Sequence, residues 1–294
     1  MLTDHRDSLR FVLSWSLALL MALVAGSAGA QPTFSSLQPA DGAVLGSAQG
    51  ALTGLVSGAD TLSINGEPVA LDGGAFAYTF SLQEGPQVLQ LVADGPGGQT
   101  AVNHQLVIDT LAPTIAVTAP SSDFVTSSPL TVAGTATDPH LAAVSVNGQA
   151  ATLTGGAWSL SVPLVEGPHT LTIRAEDSLG AVAVRQVDVR LDTAPPAVSI
   201  LESGAPFIGG LFNRPVAPTV SVTDDSGQVS AEIRLDGAAY VPGAPIDAEG
   251  AHTLSVIATD AAGWETTASV DFTLDLQPPT LGTITPAVGT VVAA

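Results

Sequence analysis

Residues 249–263, with the sequence EGAHTLSVIATDAAG, decide the fold of this chain because the same stretch recurs twice at earlier positions. Glu84-Gly85-Pro86 and Glu166-Gly167-Pro168 open the earlier copies, and successive copies are spaced by 82 or 83 residues. Two further series keep this spacing: Gly98, Gly180 and Gly263, followed by Asp109, Asp192 and Asp275. The chain is therefore built from tandem repeats.

Apolar and polar residues alternate within each repeat, as in Thr170 to Ala175 and again in Val270 to Leu274. This period of two is typical of half-buried β-strands. Asn65-Gly66 and Asn147-Gly148 lie between such strands and supply the positive φ angles that a tight hairpin requires. The pattern predicts an all-β fold in which each repeat is a sandwich of about seven strands.

The repeat spacing predicts the domain boundaries. We expect a signal peptide at 1–30 and β-sandwich repeats at 31–112, 113–195 and 196–278. Residues 279–294 match only the start of a fourth repeat, so we expect a fragment or truncated product of a longer array. Short proline-rich linkers predict that the sandwiches follow one another in an extended row. In the third repeat Gly250 follows Gly237 by 13 positions, whereas the corresponding glycines of the other repeats are 19 positions apart, so its strand pairing should differ.

The N-terminus resembles an export signal. Phe11 to Ala25 is apolar, and Ala28-Gly29-Ala30 places small residues before a cleavage site after Ala30. The alternative is an uncleaved membrane anchor over residues 11–30. We expect a secreted or cell-surface protein with no membrane contact beyond the signal peptide.

The composition excludes several classes of function. The chain has 27 acidic residues and 7 basic ones, and its net charge of −20 argues against binding nucleic acid or an anionic membrane. It contains no cysteine, so disulfides, thiolate metal sites and thiol nucleophiles are excluded.

The stretch 249–263, together with Leu274-Asp275 and the double proline that follows, resembles tandem bacterial Ig-like repeats. The first two repeats are most similar to the type named after the glucodextranase B domain. This resemblance covers residues 32–278 and implies a role in surface adhesins, in stalks of secreted proteins or in spacers beside catalytic domains.

No set of residues predicts catalysis. The sequence contains no nucleophile-elbow motif, and it has no lysine that could activate a serine. His169 and His252 occupy equivalent positions in successive repeats, which indicates a structural role. We therefore predict that the chain is not an enzyme and requires no cofactor.

Acidic residues recur at the linkers and predict sites for a cation. In an Ig-type sandwich, the loops that carry these residues meet the loops of the next domain. We expect Glu84, Asp109, Asp138 and Asp177 at the first linker, and Glu166, Asp192, Asp224, Asp225 and Asp260 at the second. Calcium would neutralise such carboxylates. The alternative is that they are solvated residues that cap turns.

Trp264 follows Gly263 directly. Two interpretations are open: the indole packs across the linker onto the second repeat, or it is a lone exposed aromatic residue.

The function expected from these features is a non-catalytic stalk or adhesion scaffold. Its partners would be other domains of a larger surface or secreted protein, and a protein or glycan ligand is compatible with the sequence. The alternative is an accessory carbohydrate-associated module of a secreted hydrolase.

Overall fold

The structure, a computed structural model, describes residues 29–280 and residue 282. Its regular elements are all β-strands. The described residues contain no helix, and therefore no helix long and apolar enough to cross a membrane. The all-β fold predicted from the alternating pattern is confirmed. The predicted signal peptide and the start of a fourth repeat lie almost entirely outside the described residues.

Eight strands form the first repeat: β1 (Thr33–Gln38), β2 (Ala43–Leu45), β3 (Gln49–Ser57), β4 (Thr61–Ile64), β5 (Glu67–Val69), β6 (Ala75–Ser81), β7 (Gly85–Gly95) and β8 (Gly98–Ile108). They make a three-stranded sheet, β1-β3-β6, and a five-stranded sheet, β2-β8-β7-β4-β5.

Nine strands form the second repeat: β9 (Thr114–Ala119), β10 (Phe124–Val125), β11 (Leu130–Thr137), β12 (Leu141–Val146), β13 (Gln149–Ala150), β14 (Thr152–Thr154), β15 (Ala157–Val162), β16 (Gly167–Asp177) and β17 (Val182–Leu191). Their sheets have the orders β14-β15-β11-β9 and β10-β17-β16-β12-β13.

Eight strands form the third repeat: β18 (Ala197–Glu202), β19 (Ala205–Pro206), β20 (Gly210–Phe212), β21 (Thr219–Thr223), β22 (Val229–Leu235), β23 (Ala238–Ala239), β24 (Gly250–Asp260) and β25 (Glu265–Leu274). Their sheets have the orders β19-β18-β21 and β20-β25-β24-β22-β23.

The strand order is that of an immunoglobulin-type sandwich, in which two mainly antiparallel sheets enclose one core. In each repeat a short strand near the start pairs in parallel with the last strand, as β2 does with β8. These short strands and small hairpin strands such as β5 raise the count above the expected seven.

The alternating pattern places one face of each strand in the core. In the first repeat, Leu52 and Phe76 come from the three-stranded sheet, and Ile64 and Leu91 from the five-stranded sheet. Leu52, Ile64 and Leu91 are fully buried. The core of each repeat therefore supplies the hydrophobic stabilisation that disulfides provide in many secreted domains.

The predicted hairpin turns are confirmed. Asn65 and Gly66 have φ angles of 51° and 82°, and Asn147 and Gly148 have φ angles of 50° and 79°. These values suit the two-residue turn that joins neighbouring antiparallel strands. The Asn65 Oδ1 also accepts a hydrogen bond of 2.8 Å from the Gln90 amide, which fixes the turn to β7.

The third repeat differs from the others where its sequence is shorter. No named strand occupies residues 240–249, and this segment meets the rest of the repeat through the Val216–Ile246 bridge. The Tyr240 hydroxyl donates to the Ala244 carbonyl at 2.7 Å. Thirteen residues are too few to form the strand that the other repeats build from nineteen.

By compactness, the described residues divide into two units rather than three. The first comprises the described residues up to Thr114, with Asp138–Ala142 and Glu176–Ala183, and the second comprises Ile115–Thr137, Ala143–Ala175 and the described residues from Val184 onward. Two loops of the second repeat thus belong with the first repeat. The acidic residues of each linker consequently lie within one unit, whereas the domain boundaries expected from the repeat spacing stay predictions.

Candidate metal centre

Asp192 is the central residue of the second linker. It directly follows β17, and its side chain is fully buried. One carboxylate oxygen, Oδ1, accepts a long hydrogen bond of 3.4 Å from the Ala194 amide. The other oxygen, Oδ2, is buried and has no hydrogen-bond partner among the described residues. A buried carboxylate oxygen without a partner is costly unless a ligand satisfies it.

Four more carboxylates surround Asp192. Ligand oxygens of Asp192, Asp224 and Asp260 all lie within 4.8 Å of one another, and the same holds for Glu166, Asp192 and Asp225. The structure thus brings together all five acidic residues that the sequence predicted at the second linker. We call them the Asp192 cluster.

Local hydrogen bonds orient the carboxylates of the Asp192 cluster. The Asp224 Oδ1 accepts from the Ser226 amide at 2.8 Å, and the Glu166 Oε1 accepts from the Thr193 amide at 3.0 Å. The Asp260 Oδ1 accepts from the Trp264 amide at 2.8 Å. The Asp260 Oδ2 resembles that of Asp192: it is buried and lacks a partner among the described residues.

Trp264 contacts the same linker. Its indole Nε1 donates a hydrogen bond of 2.9 Å to the Asp192 carbonyl oxygen, while about a third of the residue stays exposed. Trp264 is therefore not a lone exposed aromatic residue, because its indole contacts the linker through Asp192.

The pKa of Asp192 is raised, and burial of its carboxyl is the main cause. The hydrogen bond from the Ala194 amide opposes this effect, but the negative charges of Asp224, Asp260 and Asp225 raise the pKa further. Arg190 is close by, yet its Nη2 donates to the backbone oxygen of Asp225 at 2.5 Å rather than to a carboxylate. The cluster thus holds more negative charge than its protein surroundings neutralise.

The first linker has a different set of groups. Asp109 and Asp138 come together as the sequence predicted, but the third member of the group is His140. The His140 Nδ1 forms a short hydrogen bond with the Asp109 Oδ2, and the His140 amide donates to the Asp138 Oδ1 at 2.6 Å. The Asp109 Oδ2 thus has the imidazole as its partner, whereas the corresponding Oδ2 of Asp192 has none.

Glu84 and Asp177 are not members of the group at the first linker. Glu84 accepts hydrogen bonds from the amide and the hydroxyl of Thr110, at 3.1 and 2.7 Å to its Oε2. The Asp177 Oδ1 accepts from the Leu179 and Ala181 amides at 2.8 Å, whereas its Oδ2 is buried without a partner in the described structure. Both side chains therefore accept hydrogen bonds from backbone amides, Asp177 within its own loop and Glu84 at Thr110, which follows β8.

The Asp192 cluster has the chemistry of a calcium site. Ca²⁺ takes six to eight oxygen ligands at about 2.3–2.6 Å, so two ligands on opposite sides of one ion are about 4.8 Å apart. The oxygens of Asp192, Asp224 and Asp260 satisfy this limit in all three pairs. The residues present therefore fit a hard cation, and exposed Glu166 and Asp225 can supply further oxygens.

A second titratable pair lies in the third repeat. The His252 Nδ1 contacts the Asp236 Oδ2 at 2.8 Å, and its Nε2 contacts the Ala248 carbonyl oxygen at 2.8 Å. Because both partners are acceptors, the ring must carry both protons to satisfy them. The hydrogen bond with Asp236 raises the pKa of His252 and lowers that of Asp236.

We expect this pair to stabilise the third repeat most at mildly acidic pH. The contribution of His252 is complete below its unfolded pKa of 6.5 and is lost as the pH rises through its higher folded-state pKa. The effect should be below about 1 kcal/mol because Asp236 is half exposed and water screens the pair. The measurement is the melting temperature at pH 5.5 and pH 8.5. His252→Gln should lose stability at the lower pH but little at the higher, and an equal loss at both would refute the charged pair.

Comparisons with known proteins agree with the predicted resemblance over part of the chain. Residues 113–193 match the family model described as glucodextranase, domain B, which confirms the resemblance for the second repeat. No curated protein sequence matches the chain.

Two solved structures illustrate the fold-level similarity. The fibronectin(III)-like modules of Clostridium thermocellum CbhA are 17% identical, with a TM-score of 0.32 over 54% of this chain and 93% of that one. Extracellular domains 3–5 of Drosophila OTK are 12% identical, with a TM-score of 0.39 over 85% of this chain and 98% of that one. The fold assignment rests on the sheet order and not on these scores.

Proposed function

We propose that this chain is a non-catalytic scaffold of a secreted or cell-surface protein, a stalk or adhesion segment, and that Ca²⁺ stabilises its second linker. The observation that carries the proposal is the fully buried Asp192, whose Oδ2 has no partner while four carboxylates surround it. Mutual repulsion would loosen the linker unless a cation is bound.

Calcium suits this site better than other metals. All the side-chain ligands are carboxylates, whereas zinc sites generally include histidine or cysteine. Mg²⁺ demands a nearly ideal octahedron at a shorter distance and usually keeps several waters. Extracellular calcium modules bind with Kd values of about 10⁻⁴–10⁻³ M, and we expect an affinity in this range.

The non-catalytic role is supported by the contacts of the histidines. His104 and His169 contact the carbonyl oxygens of Pro39 and Val165, and His252 contacts Asp236 and a carbonyl oxygen. His140 contacts Asp109. Each of these partners is a carbonyl oxygen or a carboxylate, and none is a serine or threonine hydroxyl that a histidine could activate.

Terbium luminescence tests the calcium site, because Tb³⁺ occupies oxygen-rich calcium sites and is excited by a nearby indole. Trp264 lies beside the Asp192 cluster through its bonds to Asp192 and Asp260. We expect sensitised emission from the whole chain, and we expect Ca²⁺ to compete it away.

Two variants distinguish the role of the indole in exciting Tb³⁺ from the role of the carboxylates in binding the ion. Trp264→Phe should lose the emission but keep the rise in melting temperature that calcium causes. Asp192→Asn should lose both signals. The calcium proposal fails if wild-type protein gives no emission that calcium displaces and no calcium-dependent rise in melting temperature.

A second function is favoured by one observation. The family model that matches residues 113–193 describes a domain of a glucodextranase. We therefore keep the role of an accessory module of a secreted carbohydrate-acting protein as the alternative. Binding of oligosaccharides to the chain would support this role, and its absence across neutral and charged glycans would favour the scaffold alone.

A further inference from the structure

An open groove of about 770 Å³ lies on the second repeat, beside β17. Residues from β10, β16 and β17 form its walls, among them Phe124, His169, Thr170, Arg185 and Asp188. Its volume is within the range of small-molecule sites in proteins. The lining combines one aromatic ring with polar groups of both charges.

Two arginines line this groove together with two aspartates, Asp123 and Asp188. Seven arginines occur in the chain, and five of them remain after residue 30. Arg185 and Arg190 both line the groove. The Arg190 guanidinium is partly engaged by the Asp225 carbonyl, but Arg185 is exposed and forms no hydrogen bond or ion pair with the described residues. Its five donors are free for a ligand.

The equivalent groove of the third repeat lacks these arginines. It is smaller, about 490 Å³, and keeps the same threonine–aspartate pair: Thr253 donates to Asp271 at 2.7 Å as Thr170 does to Asp188 at 2.6 Å. Ala268 and Thr273 stand 83 residues after Arg185 and Arg190. The arginines are thus a property of the second repeat and not of the fold.

The histidines of the two grooves differ in how many of their ring nitrogens have a partner. In the third repeat, both ring nitrogens of His252 are engaged, by Asp236 and by the Ala248 carbonyl. In the second repeat, only the Nε2 of His169 has a partner in the described structure, the Val165 carbonyl at 2.7 Å. The Nδ1 of His169 is therefore available to a ligand.

The edge of β17 adds backbone groups to the groove. The short strand β10 pairs with β17 only at Arg190 and Leu191, so the preceding residues of β17 form the open edge of their sheet. Unpaired amides and carbonyls at such an edge bind hydrogen-bonding ligands. Asp123 and Phe124 stand at the end of this edge, which limits the length of an extended peptide that could add to it.

We propose that the groove beside β17 binds the acidic sugar units of a glycan, with the Arg185 guanidinium on the sugar carboxylate. Guanidinium and carboxylate groups match in a two-point hydrogen-bonded pair. Gln186 and Asp188 alternate with Arg185 along β17, so they face the other side of the strand and reach a neighbouring sugar unit across its open edge, where the amide and the carboxylate bind hydroxyls. The His169 ring binds a further hydroxyl. A bare phosphate or sulfate would not use the acidic residues of the groove, whereas a uronic acid uses both kinds of group.

Isothermal titration of the whole chain with an oligoglucuronate tests this proposal. EDTA is present throughout, which removes calcium and separates the result from the proposed metal site. We expect saturable binding of the oligoglucuronate, and we expect a neutral glucan of the same length to bind at least tenfold more weakly. Equal binding of both sugars would overturn the proposal.

Matched variants locate the binding site. Arg185→Gln should weaken binding about tenfold or more, because a hydrogen bond to a charged group is lost. Arg234→Gln makes the same charge change outside the groove and should leave the affinity within about twofold. His169→Gln, which installs the residue that the first repeat carries as Gln87, should weaken binding while the repeat stays folded.

Three further outcomes would overturn the proposal. They are no binding of the oligoglucuronate at millimolar concentration, an equal loss in Arg185→Gln and Arg234→Gln, and binding of hexaglutamate as tight as that of the sugar. The last result would instead assign the open edge of β17 to an acidic peptide strand.

Discussion

Asp192→Asn is expected to raise the melting temperature of the calcium-free protein and to lower that of the calcium-saturated protein relative to wild type. Without calcium, burial and neighbouring charges disfavour the ionised carboxylate and raise its pKa. A neutral amide removes this cost at neutral pH and keeps the Oδ1 acceptor for the Ala194 amide. With calcium, the same change removes the central ligand.

The loss in calcium is expected to be the larger effect. A ligand present at a hundred times its Kd stabilises the folded state by about 2.7 kcal/mol, and the variant would forgo this stabilisation. Thermal melting in EDTA measures the expected rise in melting temperature, and melting in saturating calcium measures the expected fall.

Asp247→Asn provides the matched control, because Asp247 is an exposed residue of the third repeat and is not in the Asp192 cluster. It makes the same change of charge and should keep the full response to calcium. If the two variants respond to calcium alike, the Asp192 cluster does not bind the ion.

Leu52→Ala should destabilise the first repeat by about 3 kcal/mol, because it removes a fully buried side chain and leaves a cavity. Leu52 packs in the core between the two sheets. The described chain has no disulfide that could compensate for the lost packing. For a repeat of this size the loss corresponds to a fall in melting temperature of about 12–24 °C.

Leu55→Ala is the control on the same strand, β3, because Leu55 is 46% exposed. It should cost less than about 1 kcal/mol. Hydrogen exchange of the amides of β3 and β6 assigns the loss to the first repeat. Similar effects of the two substitutions would mean that the sandwich core is not where the structure places it.

Much of the fold follows from local pattern. The period of two places alternate residues of each strand in the core, and Asn-Gly pairs such as Asn65-Gly66 adopt the positive φ angles that they predict. The missing strand of the third repeat follows from its shorter segment before Gly250. These features depend on residues that are close in the sequence.

The candidate metal centre could be predicted only in part. Recurrence of the carboxylates indicated which residues meet at the second linker, because equivalent loops of a repeat occupy equivalent places. It did not indicate His140, which stands two residues after Asp138 where Ser226 stands after Asp224. Comparing these two positions would have shown that the linkers differ in chemistry.

The roles of Glu84 and Asp177 could not be predicted from recurrence alone. Asp177 bonds the backbone of its own loop and Glu84 bonds the Thr110 backbone after β8, and such contacts depend on loop conformation rather than on spacing. The contact of Trp264 with the Asp192 carbonyl similarly joins residues 72 apart in the sequence. Only the folded linker brings these groups together.

The proposed calcium site is tested most directly by a crystal structure of the chain grown in millimolar calcium, with an anomalous difference map calculated at the linker. We predict a peak within about 2.3–2.6 Å of carboxylate oxygens of Asp192, Asp224 and Asp260. A map with no peak beside Asp192 at saturating calcium, with these side chains in place, would contradict the proposed calcium-stabilised linker.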